Sequence, residues 1–299
     1  MLFDPELRDV MAVMPPSDLT DLDACRTRTH GLGRQWSARA ADGVVIRHEL
    51  LHRTGPHDDL VVRLYEPPAA AGCVVFLHGG AFVMGDLDLE HPKCLRLAAD
   101  AGVAVASVGY RLAPEHPFPA AVDDATVALR WAQQRWERVG VAGSSAGGCL
   151  AASAALQARD EGRPLPAFQL LAYPVLDDRM ATPSMRALAD TPGWNRVASA
   201  QMWQLYLDGA VPTAYAAPGR ANDLTDLPPA FVMVAEHDPL HAEGVAYARR
   251  LAAAGVPVTL DEVAGVPHGF DLVNEHAAVA VAALDHQIQF VRRAIRARP

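Results

Sequence analysis

RVGVAGSSAGGCLAASAALQA, residues 138–158, joins a Val-rich apolar run to an Ala-rich helical run through Gly143-Ser144-Ser145-Ala146-Gly147. A Gly-x-Ser-x-Gly sequence on its own arises by chance. Placed between a strand and a helix, it is the sharp turn that presents a serine oxygen at the edge of an α/β sheet. Such a turn crowds the serine's neighbours, and Gly143, Ala146 and Gly147 supply the room. The helix N-terminus that follows favours negative charge beside the Ser145 oxygen. The bland alternatives are a small-residue strand-to-helix crossover or a phosphate cradle.

Outward from this stretch the same alternation repeats. CVVFL (73–77), VAVASVG (103–109), FQLLA (168–172), FVMVA (231–235) and VTLDEV (258–263) are short apolar runs with little alternation. That is the pattern of strands buried on both faces of a parallel sheet. Helical stretches separate them. Val122, Ala125, Leu129, Ala132 and Trp136 share one face, and residues 242–254 and 277–295 behave similarly. Two further strand-like runs, 44–52 and 60–66, flank the polar stretch RTGPHDD, which reads as a hairpin turn. The fold class is therefore α/β, an open and mostly parallel sheet with helices on both sides. Residues 1–40 look helical, with Leu7, Val10, Met11 and Met14 at helical spacing. The interval 177–227 lacks a strand and is partly helical. The expected organisation is N-terminal cap helices in 1–40, a catalytic domain in 41–176 and 228–299, and a cap insertion in 177–227.

His78-Gly79-Gly80-Ala81-Phe82 follows the strand CVVFL. Its two glycines let backbone N–H groups converge, and with the N–H of Ala146 they are candidates to hold an oxyanion. His78 itself reads as a brace for the loop. A serine hydroxyl needs a base at neutral pH. His268 follows VTLDEV within VPHGF, and Asp238 follows FVMVA within EHDPL. Both positions lie at carboxyl ends of strands, where crevices of open α/β sheets form, and the order Ser, Asp, His suits the fold. His268 would take the Ser145 proton, and Asp238 would orient the imidazole and stabilise its charged form. Asp177 and Asp178 compete for the acid role. His237 and His241, four apart, could share a metal, but no third ligand follows at suitable spacing, so neither metal nor cofactor is expected. Trp194, Met202, Trp203 and Tyr206 are candidates to line the substrate pocket.

Bulk properties bound the partners. The chain has 299 residues, 51% hydrophobic and 20% charged, with a formal charge of −9. That is enough apolar material for a large core. The acidic balance argues against nucleic acid or an anionic membrane surface as a partner. None of the four cysteines forms a C-x-x-C pair, and Cys73 and Cys149 read as small core residues. The N-terminus has no secretory pattern and no run is long enough to span a bilayer. A cytoplasmic enzyme without stable membrane anchoring is the expectation.

HGGAF, YRLAPEHPFPAA (110–121), GSSAGG, LAYPVLD (171–177), DPL (238–240) and HGF (268–270) occur in this order. Together they resemble the hormone-sensitive-lipase-like branch of the α/β-hydrolases, microbial carboxylesterases and related lipases, from about residue 60 to the C-terminus. The resemblance implies an eight-stranded sheet with a helical cap and frequent homodimers. It implies metal-free hydrolysis of small esters, often with short acyl chains. It places the nucleophile on Ser145, the acid on Asp238, the base on His268 and the oxyanion amides on Gly79, Gly80 and Ala146. Tyr110, Arg111 and the segment after them would brace loops beneath the site. Three departures stand out. Ser144 occupies a position that is usually Asp or Glu, which alters local hydrogen bonding. His241-Ala242-Glu243 replaces the frequent Arg-Asp-Glu. The approach WAQQRWERVGVAG is also shorter than usual. A deacetylase or amidase for one natural product shares the same acyl-enzyme chemistry. A ligand-binding receptor on a degenerate hydrolase fold would lack a triad residue, and halide or epoxide chemistry would want a carboxylate at position 145.

Overall fold

The computed structural model describes residues 1–53 and 59–297. Its strands are β1 Val45–Leu51, β2 Leu60–Glu66, β3 Cys73–Leu77, β4 Ala104–Val108, β5 Val139–Ser144, β6 Gln169–Ala172, β7 Ala230–His237 and β8 Val258–Pro267. Its helices are α1 Arg8–Val13, α2 Leu22–Trp36, α3 His91–Ala101, α4 Ala120–Gln133, α5 Ala146–Asp160, α6 Pro183–Ala187, α7 Arg196–Leu207, α8 His241–Ala253, α9 Phe270–Val273 and α10 Ala278–Arg296. The strands form one sheet in the order β1-β2-β4-β3-β5-β6-β7-β8. β1 with β2 and β2 with β4 are antiparallel, and every other neighbouring pair is parallel. Leu51 pairs with Leu60 at the β1–β2 connection. The expected turn within RTGPHDD falls mainly on residues 54–58, outside the described residues.

The apolar runs of β3 to β7 are continuous because both faces of the sheet are covered there. VTLDEV, expected to be buried on both faces, lies instead in the edge strand β8 and is mostly exposed or half-buried. All five residues of β3 are buried. Val75 and Leu77 belong to a core shared with α4, α5 and α8, while Val74 and Phe76 belong to a second core shared with α3 and α10. This is the period-two alternation of a strand, read out as two apolar layers. The two strands beside the site run further than their sequence patterns suggested. β7 continues to His237 and β8 to Pro267, with a bulge between Ala235 and His237. Asp238 and His268 therefore leave the sheet side by side. α3 had no counterpart in the sequence reading; Cys94, Leu95, Leu97, Ala98 and Ala101 are its buried side. Trp136 lies beyond the end of α4 at Gln133, yet still packs against the core.

Residues 1–40 split between two locations. Leu7 and Met11, one helical turn apart, are buried in the second core, whereas Val10 on the flank of this short helix is 42% exposed. The Asp4 N–H donates to Gly265 O at 2.8 Å, so α1 lies against the main body beside β8. The following residues meet the 177–227 interval instead. The Ser17 N–H donates to Gly193 O at 2.7 Å, and Leu19 N–H to Gln201 Oε1 at 2.8 Å. α2 then crosses the loop after β3. Its Arg26 Nε donates to Val83 O at 2.8 Å, and its guanidinium pairs with Glu115 at 2.6 Å.

The join of β3, β5 and α5 is packed backbone to backbone. A Cβ on Gly147 would overlap the Leu77 carbonyl, which is held in the sheet. Gly147→Ala is therefore expected to lose roughly 3 kcal/mol or more in urea unfolding. Gly31 sits inside α2 with open space around it, so Gly31→Ala is expected to gain up to about 1 kcal/mol. A Gly147→Ala protein as stable as the parent would contradict this packing.

Candidate active site

Ser145 stands between the last residue of β5 and the first of α5, at φ 54° and ψ −115°. This is a region a residue with a side chain rarely adopts. Its N–H donates to Ala172 O at 2.8 Å, which ties the turn to β6. The glycines around it are required by contact: a Cβ on Gly143 would strike the Gly147 carbonyl, and one on Gly148 would come within 2.9 Å of Pro174 Cβ.

Ser145 Oγ lies 2.9 Å from His268 Nε2, and His268 Nδ1 lies 2.6 Å from Asp238 Oδ2. Asp238 is fully buried, and its other oxygen accepts the Leu240 N–H at 2.8 Å. With both oxygens engaged, the carboxylate fixes the imidazole's orientation and the tautomer with hydrogen on Nδ1. The Tyr173 ring meets His268 edge-on at 4.9 Å, and the Trp194 ring lies 5.8 Å away. The two competing acids are engaged elsewhere: Asp177 pairs with Arg179 at 2.7 Å and Asp178 with Arg220 at 2.5 Å. His237 Nε2 is 3.1 Å from Leu2 O, and His241 is 3.3 Å from Glu262. Among the described residues no group of three His, Cys, Asp or Glu side chains is placed to hold a metal ion.

The loop after β3 requires one correction. Gly79 was expected to offer its N–H to an oxyanion, but that N–H is already taken, donating to Glu90 Oε1 at 2.8 Å. The next two amides, of Gly80 and Ala81, carry no hydrogen bond among the described residues. Neither does that of Ala146, which as the first residue of α5 has no partner within its own helix. Ala81, at φ 57°, is thus a candidate donor that the glycine pattern did not suggest. Gly80, at φ 124°, has a conformation only glycine tolerates, and a Cβ there would strike Met84 O. His78 braces the loop as read: its Nδ1–H donates to Gly79 O at 2.7 Å and its ring stacks on Tyr110 at 4.2 Å. Burial pushes the His78 pKa down, which keeps the ring neutral.

Beneath this loop lies a buried polar cluster gathered around the start of α3. Lys93 Nζ is 2.7 Å from Glu90 Oε2, 2.8 Å from Ser144 Oγ and 2.9 Å from Asp271 Oδ2. Ser144 Oγ donates to Glu90 Oε2 at 2.7 Å, and Tyr173 OH donates to Asp271 Oδ1 at 2.7 Å. Burial alone would lower the Lys93 pKa, but Asp271 and Glu90 outweigh it and hold it well above the usual lysine value. Burial would likewise raise Asp271; Lys93, with help from Tyr173, overcomes that and holds the carboxyl below its usual value. None of Glu90, Lys93 or Asp271 was singled out in the sequence.

A cavity of about 220 Å³ opens over Ser145 and His268. Ser17, Thr29 and Leu32 from the N-terminal segment and Gly193 and Trp194 from the 177–227 interval help line it. Trp194 is thus where a pocket residue was expected. Met202, Trp203 and Tyr206 are not: they are buried in the core, where Tyr206 stacks on Phe82 at 3.8 Å. A second cavity of about 330 Å³ lies on the other side of Glu90 and Lys93 and contains none of the three residues of the relay. No helix among the described residues is long and apolar enough to cross a membrane.

Comparison with known proteins gives the family. A family model described as the alpha/beta hydrolase fold matches residues 74–272. Esterase LipI of Mycobacterium tuberculosis is 45% identical over 231 residues, 72% of either chain. An ethyl acetate hydrolase of Pseudomonas putida is 40% identical over 228 residues, 71% of either chain. A solved structure described as a bacterial heroin esterase superposes with a TM-score of 0.92 at 38% identity, covering 99% of both chains. The chain belongs to the α/β-hydrolase fold family, in its hormone-sensitive-lipase-like esterase branch, and is a serine-hydrolase enzyme.

Proposed function

We propose that the enzyme hydrolyses small carboxylic esters with short to medium acyl chains through a covalent acyl-enzyme on Ser145. The observation that carries this reading is the relay from Ser145 Oγ through His268 to Asp238, at 2.9 and 2.6 Å. His268 Nε2 takes the Ser145 proton as the oxygen attacks the ester carbonyl carbon. The oxygen of the resulting tetrahedral intermediate becomes anionic, and the free N–H groups of Gly80, Ala81 and Ala146 receive it. The imidazolium, steadied by Asp238, then gives its proton to the leaving alcohol. Water attacks the acyl-enzyme with the same base, and the carboxylic acid leaves. The relatives' names support an ester substrate, and that of the Pseudomonas putida relative speaks for a two-carbon acyl group.

The reading makes Ser145→Ala inert. Alanine fits the elbow, so the protein should fold and lose activity on p-nitrophenyl butyrate by on the order of 10⁴-fold or more. Near-parental turnover in this variant, with contaminating esterase excluded, would end the proposal.

The part of residues 1–40 that follows α1 acts here with 177–227 as a cap. Ser17, Thr29, Leu32 and Trp194 wall the cavity over Ser145, and the two segments are tied by the hydrogen bonds at Ser17 and Leu19. A cavity of about 220 Å³ suits a short acyl chain better than a long one. Butyrate or hexanoate esters should therefore be turned over faster than palmitate. Deleting residues 1–35, which also uncovers the second core that Leu7 and Met11 fill, should lower kcat/KM sharply and flatten that preference, with the sheet retained by circular dichroism at a lower melting temperature. A soluble truncated enzyme that keeps the parental rate and chain-length profile would show that the segment does not cap the site.

A further inference from the structure

The cluster beneath the HGGAF loop sets a physical problem. Glu90 is a buried carboxylate, 2% exposed, that also lines the cavity over Ser145. Its Oε1 accepts the Gly79 N–H, one residue before the amides read as oxyanion donors. A negative charge so close to a developing oxyanion opposes it, and the opposition is strong where water is excluded. Something must screen that charge for the loop to serve as a donor site.

Lys93 is placed to do so. An ammonium has three donors, and those of Lys93 reach Glu90, Ser144 and Asp271 at 2.7, 2.8 and 2.9 Å. Asp271 lies three residues past His268 on α9, so the same ammonium also touches the segment that carries the base. The resemblance expects an acid at position 144. Here a serine stands there and the carboxylate arrives from the start of α3. Ser144 donates to Glu90 and accepts from Lys93, so it bridges the pair without adding a third carboxylate to a site with one ammonium.

We propose that Glu90 and Lys93 are positioning residues for the oxyanion site. Glu90 ties down the Gly79 N–H and so aims the amides of Gly80 and Ala81 into the crevice. Lys93, whose ammonium is shared with Asp271, screens the carboxylate's charge and so weakens its opposition to the negative oxygen forming above Ser145. This rests on the reading of those amides, with that of Ala146, as the oxyanion donors. A purely structural role, pinning α3 beneath the loop, would change stability without a selective effect on the transition state.

The test uses the full-length enzyme, p-nitrophenyl butyrate as substrate, and a trifluoromethyl butyl ketone, whose adduct with the serine carries an oxyanion. Lys93→Met leaves the carboxylate unscreened, so kcat should fall on the order of 10²-fold with KM little changed. Affinity for the ketone should fall in parallel. Glu90→Gln keeps an acceptor for Gly79 without the charge and should stay within about tenfold of the parent, whereas Glu90→Leu, which leaves the loop untied, should lose on the order of 10²-fold. Lys93→Met combined with Glu90→Gln should regain about tenfold or more over Lys93→Met alone, because neighbours in one network do not add. If Lys93→Met does not fold, the contrast between Gln and Leu at position 90 decides. Variants that melt earlier yet keep parental kcat and ketone affinity would overturn the inference, as would a double variant no better than Lys93→Met. A parent enzyme that hydrolyses the ester but ignores the ketone would overturn the oxyanion reading together with it.

Discussion

At the join of β5 and α5 a residue with a side chain is held at φ 54° and ψ −115°. Backbone in such a region costs on the order of 1–3 kcal/mol and persists only where its surroundings over-determine it. Those surroundings are visible on every side of Ser145. Its N–H is bound by Ala172 O, and its carbonyl accepts N–H groups from Cys149 and Val175. Gly143, Gly147 and Gly148 let three backbone segments approach more closely than a Cβ permits. The outcome is a hydroxyl at the carboxyl edge of the sheet, at the start of a helix, with its proton facing His268. The elongated β7 and β8 then matter because they deliver Asp238 and His268 to that one point.

Charge is handled with similar economy around the crevice. Asp238 is buried with both oxygens bonded, one of them to His268. Glu90, Lys93 and Asp271 are buried together, and Ser144 and Tyr173 satisfy the remaining valences. An uncompensated buried charge costs several kcal/mol, so these sets fold as units. α3 thereby serves two levels of the structure at once. Its apolar side covers the sheet, and its first turn reaches the floor of the site.

The sheet was legible because a fully covered strand leaves an uninterrupted apolar run, as CVVFL does, whatever its partners are. The Ser145 turn was legible because steric crowding writes small residues into adjacent positions. Asp238 and His268 could be read because each comes within a few residues of the end of a strand run. The cluster could not. Glu90 and Lys93 meet Ser144 across separations of 54 and 51 residues, and a lysine on a helix ordinarily marks the solvent side. The choice among Gly79, Gly80 and Ala81 was hidden for the same reason, since it depends on where Glu90 stands. Trp203 and Tyr206 misled because an aromatic in a strandless interval fits a pocket wall or a core equally well. Their partner Phe82 comes from the distant HGGAF loop.

All of this converges on one activated oxygen. A fluorophosphonate probe reacts with such an oxygen as an ester carbonyl would, and mass spectrometry of the digested protein locates the adduct. The account predicts a single adduct on Ser145, formed as esterase activity disappears. An adduct on Ser144 alone, or full loss of activity with Ser145 unmodified, would contradict it.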